Sequence, residues 1–104
     1  MTYSDLETIL KAVLPAVYHW DKPRNVNRCI VWVETGGHSA YGDDRRAVTA
    51  LRANVYVYTQ TEGDTLVDDV AMVLEDAGIA IADPLPDYDQ ESLTASWIIE
   101  CEMV

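Results

Sequence analysis

The sequence predicts an α+β fold, two helices packed on one face of a mainly antiparallel sheet of four to five strands, and three observations carry that prediction. Residues 51–60 alternate: Leu51, Ala53, Val55, Val57 and Thr59 fall on one side and Arg52, Asn54, Tyr56, Tyr58 and Gln60 on the other, the period of a strand with one apolar and one mixed face. Leu66, Val70, Val73, Leu74 and Ala77 then recur at a spacing of three and four, which lines them up along one side of a helix that can lie on that apolar face. Finally Leu93, Ala95, Trp97, Ile99, Cys101 and Met103 alternate with Thr94, Ser96, Ile98, Glu100 and Glu102, a second long strand and the expected antiparallel neighbour of the first. Each large side chain buried between helix and sheet contributes roughly 1.5 to 3 kcal/mol before chain entropy is subtracted, enough in sum to hold the helix in place.

The remaining elements follow in order. Ser4-Asp5-Leu6-Glu7 fits a capping box and predicts a helix beginning there, with Leu6, Ile9, Leu10, Val13 and Leu14 as its apolar stripe and Pro15 as its stop. Ala16 to Trp20 has strand propensity, and Asp21-Lys22-Pro23-Arg24-Asn25 is a turn cluster. Arg28 to Thr35 predicts a second strand with Cys29, Val31 and Val33 on one face and Ile30, Trp32 and Glu34 on the other. Both faces are largely apolar, so it is a central strand or one whose second face another subunit covers. Gly36 to Arg46 reads as a long polar loop, and a loop of that length is a candidate for interaction. Asp64 is the expected N-cap of the second helix and Gly78 its C-terminal glycine. Ile79 to Ala82 predicts a short strand, and residues 83–89, with Pro84 and Pro86, a stiff extended connector.

A chain of 104 residues that is 49% hydrophobic has the size and composition of a single domain, 1–104. The apolar runs are too short to span a bilayer, and acidic residues stand where a signal peptide carries basic ones, so a soluble, non-secreted protein is expected. The net charge of −11 repels phosphate backbones and anionic lipid, which argues against a dedicated nucleic-acid or membrane binder. Cys29 and Cys101 lie inside predicted strands, not in the short-spaced pairs of zinc or redox sites, and are expected as buried thiols at core-facing positions.

No catalytic residue, cofactor or metal ligand is expected. Asp43-Asp44-Arg45-Arg46 has the residue types of a cation or phosphate site, but lacks a glycine-rich cradle or a third spaced carboxylate, and reads as a solvated tip or an intersubunit ion-pair patch. His38 beside Ser39 has no third group to orient a base. Asp64, Asp68 and Asp69 suit the positive end of a helix better than a metal. Six tyrosines and three tryptophans without a phenylalanine favour surfaces that become partly buried on association. The expected assembly residues are therefore Trp32, Tyr41, Asp43, Asp44, Arg45, Arg46, Tyr56 and Tyr58.

Tyr41-Gly42-Asp43-Asp44 before Val55-Tyr56-Val57-Tyr58-Thr59, the helix Thr65 to Ala77 ending at Gly78, and Tyr88 before the strand Leu93 to Met103 make an order that resembles the small tail-terminator or tail-completion (head-tail joining) proteins of long-tailed bacteriophages. The resemblance spans most of the chain and rests on alternation and turn chemistry. It implies a virion structural protein, a homo-oligomeric ring, commonly a hexamer, that caps the tail tube and presents a surface to the head-side connector. It further implies a place in the tail or neck after assembly in the host cytoplasm, and offers no active site to carry over. An acidic lumen would let DNA pass without adhering. The alternative class is a small-molecule-binding or regulatory α+β module, for which a closed apolar pocket lined by Trp97 and Trp32 is the discriminating sign. An enzyme comes third, since it needs titratable groups to converge in one cleft.

Overall fold

The structure, a computed structural model, describes residues 1–42, 45–89 and 94–104, with side chains for 1–36, 50–87 and 95–104. The first helix, α1, spans Tyr3–Val13 and starts two residues earlier than Ser4 predicts. Thr2 Oγ1 accepts from the Asp5 N–H at 3.2 Å, while the Asp5 carboxylate accepts from the Thr2 N–H at 2.8 Å. Thr2-Tyr3-Ser4-Asp5 and Ser4-Asp5-Leu6-Glu7 both satisfy the box pattern. The earlier one wins, and it draws Tyr3 into the first turn, from which its hydroxyl donates to the Arg52 carbonyl at 3.0 Å. Leu14 is extended before Pro15 and ends the helix as expected.

Strand β1 (Val17–His19) pairs in parallel with β2 (Cys29–Gly42), and β2 pairs antiparallel with β3 (Arg45–Thr59). Helix α2 follows at Leu66–Asp76, then β4 (Ala80–Ile81), β5 (Leu85–Asp89) and β6 (Thr94–Met103). The strand order is β1-β2-β3-β6-β4, with β5 also paired to β6. The sheet is thus mixed and six-stranded, larger than the four to five strands expected. β5 supplies the additional strand, and the sheet also reaches further than expected. Of the stretch expected as a loop, residues 36–42 and 45–46 pair as the far part of a long hairpin, in which β2 and β3 run to 14 and 15 residues. Its glycines and charges suggested irregular chain, yet Gly36, at φ +106°, occupies a register shift between Glu34 and Gly36 after which the ladder resumes. The proline-bearing connector is likewise a strand. β5 lies at the border of the sheet, where a proline whose missing N–H points away from the ladder is tolerated.

Both helices cover one face. Leu6 and Leu10 of α1 and Leu66, Val67, Val70 and Leu74 of α2 share a core with Ile30, Trp32, Ala53, Val55, Val57, Ile99, Cys101 and Met103. α2 ends in a Schellman motif. The Gly78 N–H bonds Glu75 O at 2.9 Å and the Ile79 N–H bonds Leu74 O at 3.0 Å, with Gly78 at φ +82°, a conformation that costs a glycine little.

Candidate functional site

Residues directly opposed in a ladder point their side chains to the same side, so the register fixes what lies on the face opposite the helices. Tyr18 pairs with Val31, Val31 with Tyr56, Tyr56 with Ile98, and Ile98 with Leu85, making one apolar row across five strands. A second row runs Cys29, Tyr58, Ser96, Asp87. A third includes Asn54 opposite Glu100. None of these rows belongs to the helix-side core. Tyr18, Tyr56, Tyr58 and Ile98 are half-buried, and Leu85 is 54% exposed.

One end of this face is covered by the crossover between β1 and β2. Lys22 Nζ sits 5.7 Å from the centroid of the Tyr58 ring and donates to Val26 O at 2.8 Å and Pro23 O at 3.2 Å, so the crossover passes over Tyr58 and its neighbour Cys29. Burial there raises the Tyr58 phenol above its ordinary pKa, with the Cys29 thiol and Tyr56 adding to the effect. Cys29 is fully buried on the helix-free side under this cover, not on the core side that its alternation suggested. Cys101 is on the core side, where burial pushes its thiol up to about 12. The two thiols occupy opposite faces. Their β3 partners, Tyr58 and Ala53, are five positions apart (58 − 53), about 17 Å along a strand, well beyond disulfide reach.

Trp32 stands on the helix side of β2, opposite Val55, not on the second face the sequence suggested. It is 5% exposed, with its ring centroid 5.8 Å from Tyr3 and 4.0 Å from His19, both near-parallel stacks. His19 Nε2 in turn meets both Glu34 carboxylate oxygens, at 2.9 and 3.0 Å. Beside it Trp20 is 58% exposed at φ +77°, an uncommon backbone state for a bulky residue. Alternation separates two faces but does not say which one the helices take, and Cys29-Val31-Val33 is as apolar as Ile30-Trp32. Of the other expected assembly residues, Tyr56 and Tyr58 come together on the helix-free face. Asp43 and Asp44, and the side chains of Tyr41, Arg45 and Arg46, lie outside the described residues, as do the His38 and Ser39 side chains. Sequence reasoning passed over Tyr18, Ile98 and Leu85. Ile98 was visible as the apolar intruder on the polar side of its strand, whereas Leu85 needed β5 to be recognised.

Asp64 does two jobs at the start of α2. Its carboxylate accepts from Arg28 Nε at 2.9 Å and Nη2 at 3.2 Å, and also from the Leu66 N–H at 3.0 Å. The Arg28 guanidinium, with help from that N–H, holds the Asp64 carboxyl below its ordinary pKa. The residue flanking the helix is Thr65, one position later than expected, but its side chain makes no capping bond and Asp64 supplies the acceptor. Among the described residues no group of three or more His, Cys, Asp or Glu side chains is placed to hold a metal. Trp97 borders an open groove with Val67, Pro84 and the turn 60–64, and Trp32 does not line it.

No family model matches this chain, and no curated protein matches it. Among solved structures, a chain from the virion of a native gene transfer agent particle is similar in fold, with a TM-score of 0.58 at 14% identity, covering 97% of this chain and 88% of that chain.

Proposed function

We propose that this chain is a structural protein of a phage-type particle and, within that class, a tail-terminator or tail-completion subunit. It would be one member of a homo-oligomeric ring, a hexamer as is common in that family, that caps the tail tube and faces the head connector. The observation that carries this reading is the fold likeness, over nearly all of both chains, to a component of a gene transfer agent virion. The β2–β3 hairpin supports it. β1 pairs only as far as Trp32 and β6 only as far as Leu51, so beyond those positions the hairpin has no further strand beside it among the described residues. Such an edge is a template for a strand from a neighbouring subunit. The hairpin also suits the elongated shape, 51 × 26 × 22 Å. The charge of −11 supports a lumen that does not hold DNA. On this reading the protein resides in the tail or neck of the particle and has no enzymatic activity of its own. Turnover in a broad activity screen, abolished by changing Asp43, Asp44 or His38, would overturn the latter point.

The decisive experiment is mass by light scattering with negative-stain imaging, on the protein alone and with the tail tubes of its particle. A ring is expected. A hairpin shortened between Gly37 and Arg45 should keep the circular dichroism of the core and lower the assembled mass. Unmodified protein that stays monomeric at high concentration and beside tail tubes refutes the ring.

A further inference from the structure

The helix-free face carries an asymmetry between its apolar centre and its charges. Tyr56, Ile98 and Leu85 form the part of the central row that the Lys22 crossover leaves open, with Leu85 the most exposed. The two cations that register or contact places on this face, Lys22 and Arg52, are already engaged. Lys22 is tied to two crossover carbonyls and to Tyr58, and Arg52 Nε lies 3.5 Å from the Glu102 carboxylate. The anions Asp87 and Glu100 are placed on the same face by their pairing with Ser96 and Asn54. They are exposed and have no ion-pair partner among the described residues. The open apolar strip therefore has a negative rim with no cation paired to it among the described residues. A second copy meeting this face with its own would set carboxylates against carboxylates between chains that each carry −11.

We infer that the helix-free face around Tyr56, Ile98 and Leu85 docks a different protein, one that presents an apolar patch rimmed by Lys or Arg side chains. The inference rests on the assembly reading in taking the occupant to be another protein of the particle. It divides the labour of the surface: the hairpin serves copies of this chain, and the helix-free face serves a basic partner. Apolar burial at the centre supplies affinity, and the carboxylate rim supplies selection and salt sensitivity.

The test uses the full chain, isotope-labelled, and two synthetic peptides of equal length, one alternating Leu and Lys and the other alternating Leu and Glu. The Leu/Lys peptide should shift the methyl resonances of Ile98 and Leu85 and bind more weakly as salt is raised, while the Leu/Glu peptide should leave them unmoved. Asp87→Asn with Glu100→Gln should flatten the salt dependence. Leu85→Ser, at an exposed border position, should weaken binding about tenfold, in line with loss of one anchor worth roughly 1.4 kcal/mol. Ile98→Ser should do the same, its folding checked by thermal denaturation. Shifts that map to the acidic outer side of α2 instead, or equal binding of both peptides, overturn the inference. So does a fall in the mass of the protein alone caused by Leu85→Ser, since the face would then serve a second copy. A monomeric unmodified protein defeats the ring reading and leaves the peptide map standing, so the two failures are distinguishable.

Discussion

Replacing Trp32 separates a core role from an interface role. The indole is 5% exposed and stacked between Tyr3 and His19, so Trp32→Ala removes a large buried side chain together with two ring contacts. Truncations of that kind cost about 3 to 5 kcal/mol, a large share of the roughly 5 to 15 kcal/mol by which a domain is stable. Trp32→Phe should behave differently. The Trp32 Nε1–H is buried without a hydrogen-bond partner among the described residues, and a buried orphan donor costs about 1 to 3 kcal/mol. Phenylalanine removes that cost while keeping an aromatic ring between Tyr3 and His19, and the relief offsets much of the lost volume. Trp32→Phe should therefore stay within about 1.5 kcal/mol of the parent. Urea denaturation followed by far-ultraviolet circular dichroism, at a concentration where only the monomer is present, measures both variants. A cost below about 1 kcal/mol for Trp32→Ala would show that the side chain is not core. A cost for Trp32→Phe well above about 1.5 kcal/mol would show that relief of the orphan N–H does not offset the lost volume.

Two other predictions concern ionisation. Because the native Asp64 carboxyl is held below its ordinary pKa, on acidification the unfolded chain binds the proton first. The stabilisation from the Arg28 pair is complete above the ordinary carboxylate range and disappears as pH falls through the native value. Asp64→Asn should thus cost about 1 kcal/mol at pH 7 and progressively less as the pH falls below the ordinary carboxylate range, in parallel denaturation curves of the two proteins; a difference that persists or grows in acid would contradict the pairing. Cys29 and Cys101 should both resist alkylation at pH 8 in the folded protein, since burial raises both thiols, and both should react in denaturant without reductant. Finding no reactive thiols after denaturation would mean that they are bridged.

Much of the fold was legible because three segments express a single period each. The helical spacing of 66–77 and the alternation of 93–103 predict α2 and β6 to within a residue or two, the alternation of 51–60 predicts the sheet-centre part of β3 but not its start at Arg45, and the adjacency of β3 and β6 follows from shared apolar faces. What escaped prediction depends on distant partners. Val17–His19 alone does not reveal that it pairs in parallel with Ile30 to Trp32 through a crossover of residues 20–28. Pro84 and Pro86 read as a spacer until β6 offers an edge, and the glycines at 36 and 37 read as loop until β3 continues opposite them. The candidate surface was legible in the same measure. Tyr56 and Tyr58 are on the helix-free side by simple parity, whereas the place of Trp32 turned on which of two equally apolar faces the helices would cover.

The position of β6 has a consequence for the order in which the molecule can come into being. Although sixth of the six strands along the chain, β6 is interior to the sheet, with β3 on one side and β4 and β5 on the other. A chain emerging from the ribosome can close the β2–β3 hairpin early, because its strands are sequence neighbours, but β4 and β5 have nothing to pair with until residues 94–103 arrive. Pairing such as Leu51 with Met103 closes a long loop, so the step that inserts β6 is slow compared with hairpin formation. The helix-free row from Tyr18 to Leu85 comes into existence only with that step, because Ile98 is its fourth member. A half-made subunit lacks the completed row, so a partner that docks there as inferred above meets its full face only once β6 is in place.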